Sequence, residues 1–337
     1  MNPSFFLKFF LLLLLTAIGF VACFGDKDKD IPEVSNIKVD LKIHHFEKDL
    51  FAADTTNAIA AMTQLDSLYP DFFREIYLSK IIPALQNPQI FSLFISTPEI
   101  RHLYDTTMTV YGDFTKLEKD LSKAFQFHQY YFSDQSVPKI VTFISEYSVG
   151  NFVAEDQLGI GLDFFLGADY PGYNPSFFPQ YIRRSMNRDH LVSKTIEAVA
   201  DDLVGEVDGD RLLDYMIHNG KKYYVLDLLL PYAPDSIKWQ YRGDQVDWLK
   251  NNELQLWSHF IGEELLYATR YKDIRKLIDY SPNAPGMPPE APGRTANWVG
   301  YKIVEAFMKR NPEISPAELI KIDKAQRILD ESKYKPR

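Results

Sequence analysis

The chain carries one cysteine, and the place of Cys23 narrows what its thiol can do. It closes a segment that opens Met1-Asn-Pro-Ser-Phe-Phe-Leu-Lys8, continues as an apolar run from Phe9 to Val21, and ends Ala22-Cys23. A basic start, an apolar stretch and small residues before a cut site describe an export signal. A cysteine just past the cut makes it a lipoprotein signal. The Cys23 sulfur would take a diacylglycerol, and the freed amino group a further acyl chain. Anchoring of that kind is stable with about two chains. The run is also shorter than the roughly 20 residues a membrane span needs. With Cys23 lipidated, no thiol remains for a disulfide, a metal site or nucleophilic attack.

Other constellations are weaker. His259 and Glu263 are four apart on an expected helix, so they share one side and could hold a metal, although an exposed polar face or an i,i+4 interaction explains them better. His44 and His45 would point to opposite faces of a strand. His128 falls on an apolar helix face and reads as a core residue. Asp26-x-Asp28-x-Asp30 starts like a calcium loop, but Ile31 stands where that loop needs glycine. Asp208-Gly-Asp210 is a turn. Phosphate-binding, dinucleotide-binding and nucleophile-elbow motifs are absent. Asp163 and Asp169 flank two phenylalanines and a glycine, with Tyr170-Pro-Gly-Tyr173 behind them. Aromatic rings beside acids in a turn can bind a sugar or a peptide, and they can also plug the edge of a core.

The elements that must position these residues are mostly helical. Val39 to Ile43 alternates with period two and reads as a strand. Ile59, Met62, Leu65 and Leu68 repeat at helical spacing up to Pro70, and a second helix begins with Phe72 and Phe73. Thr115-Lys-Leu-Glu118 has the form of a capping box, opening a helix with Leu117, Leu121, Ala124, Phe125 and His128 on one side. Lys139 to Ile144 and Leu158 to Leu162 read as strands. Helices are expected at Phe177 to Ile182 and from Asp189 through Leu203. One from Leu212 should stop at Asn219-Gly220, with a new one over Lys222 to Leu230. Others should cover Gln245 to Glu264 and Thr295 to Met308, and a last one should open with the capping box Ser315-Pro-Ala-Glu318. The proline-rich stretch from Pro282 to Pro292 is a loop. The fold class is mainly α with a small β element (α+β). The expected organisation is a signal at 1–22, a tether at 23–36 and a single domain at 37–337.

Composition supports a large core, since 46% of the 337 residues are hydrophobic and 14% aromatic. A net charge of −9 and a pI near 5.3 oppose nucleic-acid binding, which requires clustered Lys and Arg.

Taken together, these segments resemble the gliding-motility lipoprotein GldB family. The resemblance is carried by the signal with Cys23, by Gly161-Leu-Asp-Phe-Phe-Leu-Gly-Ala-Asp-Tyr-Pro-Gly-Tyr173, and by Asn219-Gly-Lys-Lys-Tyr-Tyr-Val-Leu-Asp227. It continues with Leu230-Pro231, Asn252-Glu253 with Trp257, Glu264-Leu-Leu-Tyr267, Ala291-Pro-Gly-Arg294, Trp298-Val-Gly-Tyr301 and Ile303-Val304. It implies a lipid-anchored component of the gliding apparatus in the cell envelope, on the outer or cell membrane and facing the periplasm. Its partners would be other gliding or envelope proteins, and no molecular activity is implied.

The same region is similar, more distantly, to a family of predicted zinc peptidases with H-E-x-x-H on one helix and an E-G pair further on. That likeness implies a degenerate zincin-like helical domain. The helix position reads Ile196-Glu197-Ala198-Val199-Ala200 and the pair reads Asn219-Gly220. Glu197 persists, but the three ligand positions do not. The expectation is therefore a non-enzyme without a cofactor, whose old cleft can still bind. Asp163, Asp169, Tyr170, Tyr173, Glu197, Arg294 and Trp298 form the candidate binding surface. The alternatives are a metal-dependent peptidase-like hydrolase using His190, His218 and His259, and a surface lipoprotein that binds glycan or peptide through Tyr170 and Tyr173.

Overall fold

A π-helix, Phe72–Ile81, sits at the centre of the N-terminal half and turns Phe72, Phe73, Ile76, Tyr77 and Leu78 inward together. In this computed structural model residues 31–336 are described. The signal, Cys23 and the tether up to Asp30 lie outside them. Val34–Arg337 forms one compact unit.

Strand β1 (Ile43–His45) runs directly into α1 (Phe46–Ala52). Then come α2 (Ala58–Leu68), the π-helix, α3 (Pro88–Ser96), α4 (Pro98–Tyr111) and α5 (Thr115–Tyr131). Next are β2 (Lys139–Phe143), β3 (Phe152–Ala154) and β4 (Gln157–Gly161). The C-terminal half is helical: α6 (Gln180–Arg183), α7 (Arg188–Val204), α8 (Leu212–Leu229), α9 (Asp235–Trp239), α10 (Gly243–Asn251) and α11 (Glu253–Gly262). It ends with α12 (Tyr271–Ile278), α13 (Thr295–Arg310), α14 (Pro316–Leu319) and α15 (Ala325–Ser332). The chain is thus mainly helical with one small sheet, as its sequence pattern indicates.

The sheet has the order β1-β2-β4-β3. β1 and β4 pair parallel with β2, and β3 pairs antiparallel with β4 as an edge. Ile140 to Phe143 is buried on both faces, which is why that strand is largely apolar instead of alternating, with Thr142 satisfied by the Glu47 carboxylate. Phe46, Tyr77 and Phe143 pack with Phe72 in one aromatic cluster. Full burial of each such ring stabilises by about 1.5–3 kcal/mol.

Several local expectations are corrected. Asn219-Gly220 does not end a helix, because α8 runs through it. Gly220 is there for contact: a Cβ on it would lie 2.5 Å from the Gly300 carbonyl carbon of α13. α5 starts at Thr115, whose N–H is accepted by the Asp113 carboxylate, so Thr115 does not cap it. The first strand begins at Ile43, not at Val39. Gln245 to Glu264 is broken at Asn252 into α10 and α11, so Glu263 is already past the end of α11. The helix expected over Phe177 to Ile182 shrinks to α6, leaving Phe177 76% exposed. On α2, Ile59 and Leu68 face solvent while Ala61 and Leu65 are buried. The Ser315 capping box forms as expected, with Ser315 Oγ accepting from the Glu318 N–H at 3.2 Å. Among the described residues, no helix is long and apolar enough to cross a membrane.

Candidate functional site

α7 places Glu197 on a cleft of ≈ 500 Å³ that also exposes Lys194, Asp201, Lys222 and Tyr280. The Glu197 side chain is 14% exposed. It accepts a hydrogen bond from Gln240 Nε2 at 2.6 Å and one from the Tyr223 hydroxyl at 3.4 Å, and Lys222 Nζ stands 3.9 Å away. Lys222 also pairs with Asp201 at 3.2 Å. Burial pushes the Glu197 carboxyl up, but Lys222, Lys194, Arg294 and the Gln240 amide together hold it below the usual glutamate range. Burial likewise pulls Lys222 down, and Glu197 and Asp201 more than reverse that.

Beneath this floor lies Arg294, 4% exposed and in the left-handed region at φ 63° as it opens α13. Its guanidinium donates to the Tyr223 hydroxyl at 2.8 Å and to the Trp239 carbonyl at 2.6 Å. The ring of Tyr280 covers it at 4.2 Å and that of Tyr241 at 4.9 Å. Tyrosines are neutral near pH 7. Glu197 is therefore the formal negative charge among the groups acting on Arg294. Tyr223 stacks on Trp239 at 3.9 Å, and Trp239 packs against Trp298 at 5.0 Å. The Trp298 indole N–H is buried without a hydrogen-bond partner. Glu197, about a hundred residues before Arg294 and Trp298 in sequence, belongs with them to one connected cluster. Its other members, Lys222, Tyr223, Trp239, Gln240, Tyr241 and Tyr280, were not singled out from the sequence. The run Asn219-Gly-Lys-Lys-Tyr-Tyr224 was a signal for two of them.

The aromatic loop is a separate place. Asp163 and Tyr173 are buried, and they tie the loop together from within. Asp163 accepts the N–H groups of Tyr147 at 2.8 Å and Ser145 at 3.2 Å, and Tyr173 donates to the Asp163 carbonyl at 2.8 Å. Burial pushes the Asp163 carboxyl up to about 7, against the pull of those N–H donors. Asp169 faces solvent, and Tyr170 is half-buried against Tyr147 and Tyr173.

Zinc does not fit the positions that the peptidase likeness indicates. Ile196 and Ala200 are buried hydrocarbon on α7, and Asn219 donates to the Asn297 side-chain oxygen at 2.9 Å. His190, His218 and His259 sit on α7, α8 and α11. Among the described residues, no three His, Cys, Asp or Glu side chains gather as a metal site. Burial, reinforced by a neighbouring lysine, pushes His190 and His218 down to about 4. His128 is buried in the core as expected, and burial pushes it to about 4.

A model of the gliding motility protein GldB family matches residues 27–336, nearly the whole chain. The chain belongs to that family. No curated protein and no solved structure matches it. Within this GldB-family chain, three of the stretches that carried the resemblance meet in the cluster just described, while Gly161 to Tyr173 forms the separate aromatic loop. Asn219 to Asp227 lies on α8, and Ala291 to Tyr301 forms the approach to α13 and its first turns.

Proposed function

We propose that this GldB-family chain is a lipid-anchored component of the gliding machinery, held in the cell envelope through Cys23, that acts by contact with other envelope proteins and without catalysis. One observation carries the non-catalytic part. Glu197, the remaining acid of the peptidase-like pattern, is bound up by Gln240, Tyr223 and Lys222, and Ile196, Ala200 and Asn219 flank it where a metal would need donors. A carboxylate pulled below its usual range by three cations is a poor general base. What the arrangement offers is a rigid, polar cleft.

The test is genetic and biochemical together. A deletion strain should stop spreading on agar, and a Glu197→Gln copy that reaches wild-type abundance should restore it. Cys23→Ala should move the protein from the membrane to the soluble fraction. Loss of spreading with abundant Glu197→Gln protein, or stoichiometric metal in the purified chain, would overturn the non-catalytic reading.

A further inference from the structure

The cleft is bounded on one side by the edge strand β3, through Phe152 and Val153, and on the other by one face of α7. β3 is bonded to β4 on its inner side alone. Among the described residues, no hydrogen bond reaches its outer side. An open edge of that kind is a template for one more strand.

The α7 face opposite is graded in charge. Lys194 stands at one end, beside Tyr280, to whose hydroxyl it donates at 3.3 Å, and with buried Arg294 beneath that ring. Glu197 and Lys222 offset one another in the middle. Asp201, Asp202 and Glu206 occupy the far end. Asp201 has Lys222, whereas among the described residues no ion pair reaches Asp202 or Glu206. Burial and the adjacent Asp201 push the Asp202 carboxyl up, the mark of negative charge short of a counter-ion. Lys194 to Gly205 spans about 16 Å at the helical rise, the length of about five extended residues.

We propose that this groove binds an extended polypeptide segment of about five residues, added as a strand to β3, with a carboxylate at the Lys194 end and a basic side chain at the Asp202 end. The proposal rests on the contact-only reading above and names the chemistry of the partner it needs. Main-chain bonds to β3 supply affinity. The charge gradient sets direction, since a reversed segment would put like charges together at both ends.

Calorimetric titration of the purified full chain tests this with two capped peptides, Lys-Val-Thr-Val-Glu and Glu-Val-Thr-Val-Lys. One should bind at least about tenfold more tightly than the other. Proline in place of its central threonine should abolish binding by removing a main-chain donor. The variant Lys194→Glu with Asp202→Lys should prefer the other peptide, and its circular dichroism should match the wild type. Equal binding of both peptides, tolerance of the proline, or a silent titration would overturn the groove. Mass spectrometry of the recovered peptide separates the two readings. A cut peptide sinks the contact-only function, while an intact, unbound one sinks the groove.

Discussion

Gly220 of α8 and Gly300 of α13 meet where these two long C-terminal helices cross. A Cβ on Gly300 would lie 1.8 Å from the Met216 carbonyl oxygen, and one on Gly220 would lie 2.5 Å from the Gly300 carbonyl carbon. The two glycines let the backbones touch, and this contact holds Lys222 and Tyr223 on α8 against Arg294 and Trp298 at the start of α13.

Gly300→Ala should therefore destabilise the chain by about 3 kcal/mol or more, despite the better helix propensity of alanine, because the obstacle is backbone that cannot rotate away. Urea denaturation of the two proteins measures it, and a change below about 0.5 kcal/mol would show that the helices separate freely.

Asp163 makes stability depend on pH in an unusual direction. Its folded pKa, about 7, lies above its unfolded value, so the protonated form favours the fold. This contribution is complete below about pH 4 and is lost as pH rises through 7, with an upper bound of about 4 kcal/mol. Asp163→Asn removes the titration and keeps an acceptor for the Tyr147 N–H. Between pH 5 and 7.5, the difference in unfolding free energy between variant and wild type should shift in favour of the variant. A constant difference across that range would refute the assignment.

His128 works with the opposite sign. Burial holds its folded pKa near 4, below its unfolded value, so stability is complete above about pH 6.5 and declines as pH falls towards 4. His128→Gln should blunt that acid loss by up to about 3 kcal/mol. Thermal melts at pH 7 and pH 4.5 check it: the wild type should lose more melting temperature than the variant.

Glu197→Gln should cost about 3 kcal/mol, since it leaves Arg294 buried without a facing negative charge. In an Arg294→Met background the same substitution should cost about 1–2 kcal/mol less. The double-mutant cycle in urea decides: additivity within about 0.3 kcal/mol would mean that the two charges do not sense each other.

Much of the architecture was legible because its elements repeat their own period. α5, α7 and α13 carry apolar faces at helical spacing, β2 is a short β-branched run, and β4 alternates Leu158 and Ile160 with glycine. Asn219-Gly220 misled because a glycine that ends a helix and a glycine that admits a neighbouring backbone are the same residue in sequence. β3 was missed because a three-residue edge has too few positions to show alternation. For Tyr173 and Asp163 the sequence left binding and plugging a core edge both open, since a buried hydroxyl that bonds a carbonyl leaves no mark on spacing.

By itself, the sequence determined the helical character, the small sheet, the family and the lack of zinc donors at Ile196, Ala200 and Asn219, because each depends on which residue type stands at a position. Tertiary structure alone decided that Glu197, Lys222, Arg294 and Trp298 form one cluster, that Asp163 turns inward, and that β3 is left open beside a graded helix face. Those outcomes depend on how helices distant in the chain cross, and on which charges remain once buried groups have found their partners.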